Sequence, residues 1–161
     1  MIFNRPDCTE RVFDEIQRAR PPKLLVIADG PRTDQPADLM NCKRTREIID
    51  RVNWPCEVAT DYADVNLGCR LRISSGLDWV FGQVDDAIIL EDDCLPHPTF
   101  FRYCELLLNR YKEDDRIMMI SGDNFQQGRS RTAYSYYYSH FNHIWGWASW
   151  RRSWKLYDVA M

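Results

Sequence analysis

The stretch "IILEDDCLPHP", residues 88–98, runs from three aliphatic side chains through three consecutive acids to two prolines. Ile88, Ile89 and Leu90 have the apolar character of a short buried strand, so Glu91, Asp92 and Asp93 fall where that strand ends. Adjacent carboxylates repel one another unless a cation or hydrogen-bond donors lie among them. A hard divalent ion such as Mg²⁺ or Mn²⁺ takes oxygen ligands of this kind. A solvated acidic turn is the alternative, because Asp is a frequent turn former. The triplet alone leaves both readings open.

A chain of 161 residues matches one domain and is long enough to bury a sizeable core. The net charge of −3 offers no basic surplus for nucleic acid. No apolar run approaches the roughly 18 residues of a transmembrane helix, and the N-terminus has no signal-peptide pattern. The expectation is a soluble cytoplasmic protein without a transmembrane segment. Six scattered cysteines, at 8, 42, 56, 69, 94 and 104, form no C-x-x-C pair, and most are read as free thiols, with Cys94 a packing residue.

Outward from the acids, strand-length apolar clusters alternate with helical periodicity, the pattern of an α/β layered domain. Ile2 and Phe3 read as the tail of a first strand. Asp7 is expected to cap a helix, with Glu10 completing a capping box and Val12, Ile16 and Ala19 facing inward. Leu24 to Ala28 form a second strand closed by Asp29-Gly30-Pro31, a helix covers about 38–52, and Glu57 to Thr60 form a third strand. Asn66-Leu67-Gly68 turns into a helix carrying Ile73, Leu77, Val80 and Phe81 on one face. Pro98 suits a helix start, followed by an apolar stripe from Phe100 to Tyr111. Ile117 to Ile120 form a further strand ending in Ser121-Gly122-Asp123-Asn124. The aromatic segment "RTAYSYYYSHFNHIWGWASWRRSW", residues 131–154, reads as short strands and loops before a final helix near 149–158. Aromatic faces stack on sugars or bases and also form ordinary core. His140 and His143, with no third His or Cys nearby, read as structural rather than as a zinc pair.

Ligands of open α/β sheets collect at the carboxyl ends of the strands. Asn4-Arg5, Asp29-Gly30, Glu91-Asp92-Asp93 and Asp123-Asn124 all follow strands, so they are expected to line one rim. That convergence favours a metal-assisted nucleotide site over a solvated turn.

The ordered set Phe3-Asn4-Arg5-Pro6, Asp29-Gly30, Asn66-Leu67-Gly68 and Glu91-Asp92-Asp93 resembles nucleotide-sugar glycosyltransferases of the GT-A fold. The segment "SSGLDWVFGQVDDAIILEDDCLPHPTFFRYCELLLNRYKEDDRI" is similar to N-acetylglucosaminyltransferase I and related bacterial enzymes. The resemblance implies a Rossmann-like GT-A sheet with helices on both faces. It implies one domain over 1–161, with a nucleotide-sugar-binding half at 1–124 and the start of an acceptor-binding half at 125–161. It implies that Arg5 meets the ribose or diphosphate, that Asp29 accepts a hydrogen bond from the base, that Glu91 and Asp92 hold the ribose and donor sugar, and that Asp93 ligates Mn²⁺ or Mg²⁺. The implied donor is a UDP-sugar, with a GDP-sugar the alternative, and the acceptor is a glycan or other hydroxyl compound. Asp123, Asn124 and Trp147 are expected on the acceptor side.

Compared with that family the fold is expected to be cut short at both ends, with the catalytic base beyond Met161 and Asp123 the internal candidate. The competing readings are a nucleotidyltransferase of similar architecture, which lacks its Gly-rich phosphate loop at Asn4-Arg5-Pro6, and a non-catalytic carbohydrate-binding module using the aromatic segment.

Overall fold

A computed structural model describes residues 1–130 and 132–160. Its first helix, α1 (Pro6–Ala19), precedes strand β1 (Lys23–Ala28), helix α2 (Pro36–Glu47) with a 3₁₀ turn over Ile48–Arg51, and strand β2 (Glu57–Tyr62). Helix α3 (Gly68–Gln83) leads to strand β3 (Asp86–Ile89), helix α4 (Thr99–Arg110) and strand β4 (Met119–Ser121). Strand β5 (Trp147–Trp150) and a single turn of helix, α5 (Arg151–Trp154), follow.

β1 and β2 pair in parallel from Lys23↔Glu57 to Ala28↔Tyr62, while β5 lies antiparallel between β3 and β4. Residues 1–3 join these two sheets. On one side Ile2 bridges Ala28 in the parallel sense, with its N–H 2.9 Å from the Ile27 carbonyl. On the other, the Met1 main-chain nitrogen donates to the Leu90 carbonyl at 2.7 Å and the Phe3 N–H to Asp92 Oδ2 at 3.2 Å. The spatial order is therefore β2, β1, residues 1–3, β3, β5, β4. The expected first strand is reduced to one bridge plus these two anchors.

The helices follow the apolar periodicity. Leu77, Val80 and Phe81 of α3 are buried, as are Phe100, Cys104, Leu107 and Leu108 of α4. The α4 residues pack with Leu90, Ile120, Ala148 and Trp150 into the largest core cluster, and a second core joins Phe13, Val26, Ile48, Ile49 and Trp54. All six cysteines are unpaired. No helix among the described residues is long and apolar enough to cross a membrane.

Three local expectations are corrected. α1 is not capped by Asp7: Arg5 occupies the N-cap with no side-chain cap, Pro6 starts the helix with its φ preset, and Asp7 sits inside the first turn, where its charge complements the helix dipole. The helix expected over 38–52 begins at Pro36 and tightens to 3₁₀ geometry at Ile48. The helix expected near 149–158 gives way to β5, because Ala148 and Trp150 are needed in the core between β3 and β4, leaving only Arg151–Trp154 helical.

Candidate functional site

Arg5 pairs with two of the three acids of the triplet. The Arg5 guanidinium reaches Asp92 Oδ1 at 2.5 Å and Asp93 Oδ2 at 2.8 Å, so the chain itself supplies one cation to the adjacent carboxylates. The two acids differ in access. Asp92 is 4% exposed, and its second oxygen receives the Phe3 N–H. Burial pushes its carboxyl above the usual range, with Arg5 opposing. Its expected contact with the donor sugar is corrected: Asp92 fastens residues 3–5 to the end of β3. Asp93 has a side chain 47% exposed and keeps Oδ1 clear of Arg5, with only a long 3.8 Å thiol contact from Cys94. Glu91 is half-buried and makes no side-chain hydrogen bond among the described residues. Burial, then the charge of Asp93, pushes its carboxyl up. Burial lifts the Cys94 thiol to about 11, which suits a packing residue and not a nucleophile.

Asp29 is corrected as well. It is buried, and Oδ1 receives the N–H groups of Gly30 (2.8 Å) and Leu67 (2.9 Å). Oδ2 receives the Asn66 amide (3.0 Å) and the Gly68 N–H (3.0 Å). A carboxylate offers about four acceptor positions, so none remains for a base. Asp29-Gly30 and Asn66-Leu67-Gly68, two separate motifs in the sequence, are one clamp holding the start of α3 against the end of β1. Gly30 is required there, since a Cβ would lie 2.4 Å from the Val65 carbonyl carbon.

A second anchored acid, Asp38, lies beside the Arg5 loop. The Arg32 Nε reaches Asp38 Oδ2 at 2.7 Å and the Asn4 amide reaches Oδ1 at 2.6 Å. The hydrogen bonds from Arg32 hold its carboxyl down at about 2, against an ordinary 3.8. A depressed carboxylate pKa stabilises the fold above the unfolded value, and that contribution disappears as pH falls through the folded value. Asp38→Asn is therefore expected to be less stable than the parent at neutral pH, with the gap closing between about pH 4 and pH 2. Urea midpoints measured across that range check it; a constant gap would mean that Asp38 stays charged or contributes nothing.

A cleft of about 1630 Å³ opens beyond the acids, walled by Asp93, α4, the end of β4 and the aromatic segment. Asp123 and Asn124 line it. Asp123 Oδ2 accepts from the Ser121 hydroxyl (3.3 Å) and the Trp145 N–H (3.2 Å), while Oδ1 has no partner among the described residues. Asn124 is exposed and closes a turn by accepting the Gln126 N–H at 3.0 Å. The acceptor-side placement of Trp147 is corrected: it packs on Leu77, Phe81 and Ile89, away from the cleft lining. Trp145 lines the cleft in its place and is 62% exposed. The backbone separates the two indoles at Gly146, whose φ of +89° is open to glycine and strained for other residues. Asp93, Asp123 and Asn124 thus line one cleft, and Arg5 bridges Asp93 to the buried Asp92, whereas Asp29 serves the α3 turn.

Two features escaped the sequence reading. Arg72 is buried on α3, donating to the Ala28 carbonyl (3.1 Å), the Asp61 carbonyl (2.5 Å) and Asp61 Oδ2 (2.7 Å). Its spacing of four from Gly76 and eight from Val80 puts a charge on the apolar face, a signal that periodicity does carry. The hydroxyls of Tyr136 and Tyr138 meet that of Tyr111 at 2.7 and 2.5 Å; no sequence rule pairs tyrosines 25 residues apart.

For a divalent ion the donor set is sparse. Among the described residues no three His, Cys, Asp or Glu side chains gather to hold a metal. Asp93, with one accessible oxygen, matches an ion that takes one protein carboxylate and completes its shell with phosphate and water, as Mg²⁺ commonly does. No protein-family model matches this sequence, and no curated protein does either.

Proposed function

We propose that this chain serves the metal-dependent transfer of a sugar from a nucleotide-diphosphate sugar to an acceptor hydroxyl, with inversion, on a GT-A-type sheet. The observation that supports this reading is the arrangement around residues 1–3. They lie between β1 and β3 with Arg5 and the acids at the carboxyl end of β3, beside a wide cleft that carries a second carboxylate, Asp123.

In this reading Asp93 holds Mn²⁺ or Mg²⁺, whose chemistry is to neutralise charge building on the departing nucleoside diphosphate. Arg5 is half-exposed between Asp92 and Asp93 and adds a fixed positive charge at that edge. Glu91 accepts hydrogen bonds from ribose or sugar hydroxyls. Asp123, which lines the cleft and has one oxygen without a partner among the described residues, orients the acceptor hydroxyl and takes its proton. UDP is the preferred nucleotide and GDP the alternative.

Calorimetric titration of the 161-residue chain with UDP- and GDP-sugars, with and without Mn²⁺, tests this. Nucleotide-sugar affinity is expected to need Mn²⁺ and to fall by roughly 100-fold in Asp93→Ala. The variant should fold normally, because an exposed ion pair contributes at most about 1 kcal/mol. Equal affinity in parent and variant at every Mn²⁺ concentration removes Asp93 from the site. Binding of nucleoside triphosphates in place of nucleotide-sugars would favour a nucleotidyltransferase.

A further inference from the structure

The β1–β2 pair ends at an open edge. β2 pairs with β1 residue by residue, from Lys23↔Glu57 to Ala28↔Tyr62 without a bulge, and no strand lies on its other side among the described residues. The N–H groups of Glu57 and Ala63 donate inward, to the Pro22 and Ala28 carbonyls at 2.9 Å each. Main-chain groups alternate along a strand, so the N–H and C=O of Val58, Thr60 and Tyr62 point outward. Folded proteins commonly blunt such an edge with lysine, proline, a bulge or a covering segment. The strand Glu57-Val58-Ala59-Thr60-Asp61-Tyr62 contains none of the first three.

The two charges of β2 are taken up within the chain. Glu57 pairs with Lys23 at 2.9 Å and Asp61 with Arg72 at 2.7 Å. Arg72 belongs to α3, so Asp61, and by alternation Glu57 and Ala59, face the α3 side. Val58, Thr60 and Tyr62 face the α2 side, where with Leu39 they line a groove of about 620 Å³. Val58 is 39% and Leu39 71% exposed, so the groove presents apolar surface beside the free main-chain groups.

We infer that a second copy of this chain occupies the edge, with β2 antiparallel to β2 about a two-fold axis at Thr60. A symmetric pair must match residues 58, 60 and 62 with one another, since these present their donors and acceptors outward. With the axis at Thr60, Val58 lies opposite the second copy's Tyr62, and Thr60 lies opposite Thr60. Aromatic–β-branched and Thr–Thr pairs are both favourable across strands. On the other face Asp61 meets Ala59 and Glu57 meets Ala63, so no acid faces an acid. Moving the axis to Ala59 sets Glu57 against Asp61, and moving it to Asp61 sets that residue against itself. Charge therefore selects the Thr60 register, which also brings each Tyr62 beside the Val58 that lines the other copy's groove. β2 and β4 lie at opposite ends of the strand order, so the pair forms one continuous sheet that leaves both clefts open. The inference does not rest on the transferase reading.

Sedimentation velocity of the whole chain, from about 1 to about 200 µM, tests this. The average mass is expected to rise with concentration toward twice the 19.1 kDa of one chain. Thr60→Lys and Thr60→Asp each set like charges across the axis and should raise the dissociation constant at least about tenfold. An equimolar mixture of the two variants sets Lys against Asp and should restore the dimer. Thr60 is exposed, so both variants should fold. Amide exchange in the parent needs no variant: the amides of Val58, Thr60 and Tyr62 should slow as concentration rises, while those of Ala59 and Asp61, which face β1, should not. A mass of 19.1 kDa at every concentration, a dimer unaltered by both substitutions, a mixture no tighter than its components, or exchange that does not slow at the three outward amides overturns the inference.

Discussion

Arg72→Met is expected to lower the free energy of unfolding by roughly 3 kcal/mol, read as a shift in urea midpoint at unchanged slope. Arg72 is 7% exposed, and its guanidinium is shared among the Ala28 carbonyl at the end of β1, the Asp61 carbonyl in β2 and the Asp61 carboxylate. Methionine fills the volume and removes the charge. The Asp61 carboxylate and carbonyl then lose their partner, while the Ala28 carbonyl keeps the Ala63 N–H at 2.9 Å. Removing one member of a fully buried pair costs about 3–5 kcal/mol, and the Asp61 side chain is 34% exposed, so water offsets part of that loss. Arg72→Lys should recover only a fraction, because an ammonium has no planar fork to reach three acceptors. A midpoint shift corresponding to less than about 1 kcal/mol would show that the β1–β2 pair holds α3 without this residue. Since small domains have only about 5–15 kcal/mol in total, Arg72→Met should be visibly heat-labile.

Trp147→Ala is expected to cost about 3 kcal/mol in stability, whereas Trp145→Ala should stay within roughly 0.5 kcal/mol of the parent. Trp147 lies in β5 opposite Ile89 and Ser121, and its indole packs on Leu77, Phe81 and Ile89. Its loss opens a cavity between α3 and the sheet, and Trp147→Phe should restore most of the loss by refilling it. The same pair of variants separates packing from recognition. Trp147→Ala should weaken every ligand only through unfolding, so that affinities measured well below its melting temperature match the parent. If Trp147→Ala instead keeps its stability and Trp145→Ala loses it, the two indoles have been assigned to the wrong roles.

Much of the architecture was legible in the letters. The aliphatic run of residues 88–90 before three acids, the stripe Ile73-Leu77-Val80-Phe81 and the stripe from Phe100 to Leu108 are local patterns, and periods of 2 and 3.6 are set by backbone geometry alone. They determined the alternation of strands and helices and the position of the acids at a strand end. Asp123 and Asn124 were found by the same rule, as polar residues following a strand. Ser149 and Trp150, expected at the start of the last helix, belong to β5 because Trp-Ala-Ser-Trp has no strong local preference. It becomes a strand because β3 and β4 leave a slot that its hydrogen bonds fill.

The identity of each acid's partner lay beyond the chain's local order. Asp29, Asp92 and Asp93 are all acids after strands, and nothing within a few residues of any of them distinguishes a clamp from a ligand. Asp29 meets donors from residues 66–68, and Asp92 and Asp93 meet a guanidinium from residue 5, separations of 37 to 88 residues in the chain. The same holds for Trp145 and Trp147, which differ in role because Gly146 between them takes a left-handed conformation that turns one indole to the cleft and leaves the other in the core. Local sequence sets which groups can bond or stack. Which of them are already satisfied by the protein, and which stay open to a ligand, depends on donors brought from distant segments, since a carboxylate's few acceptor sites are filled first by whatever the fold places within about 3 Å.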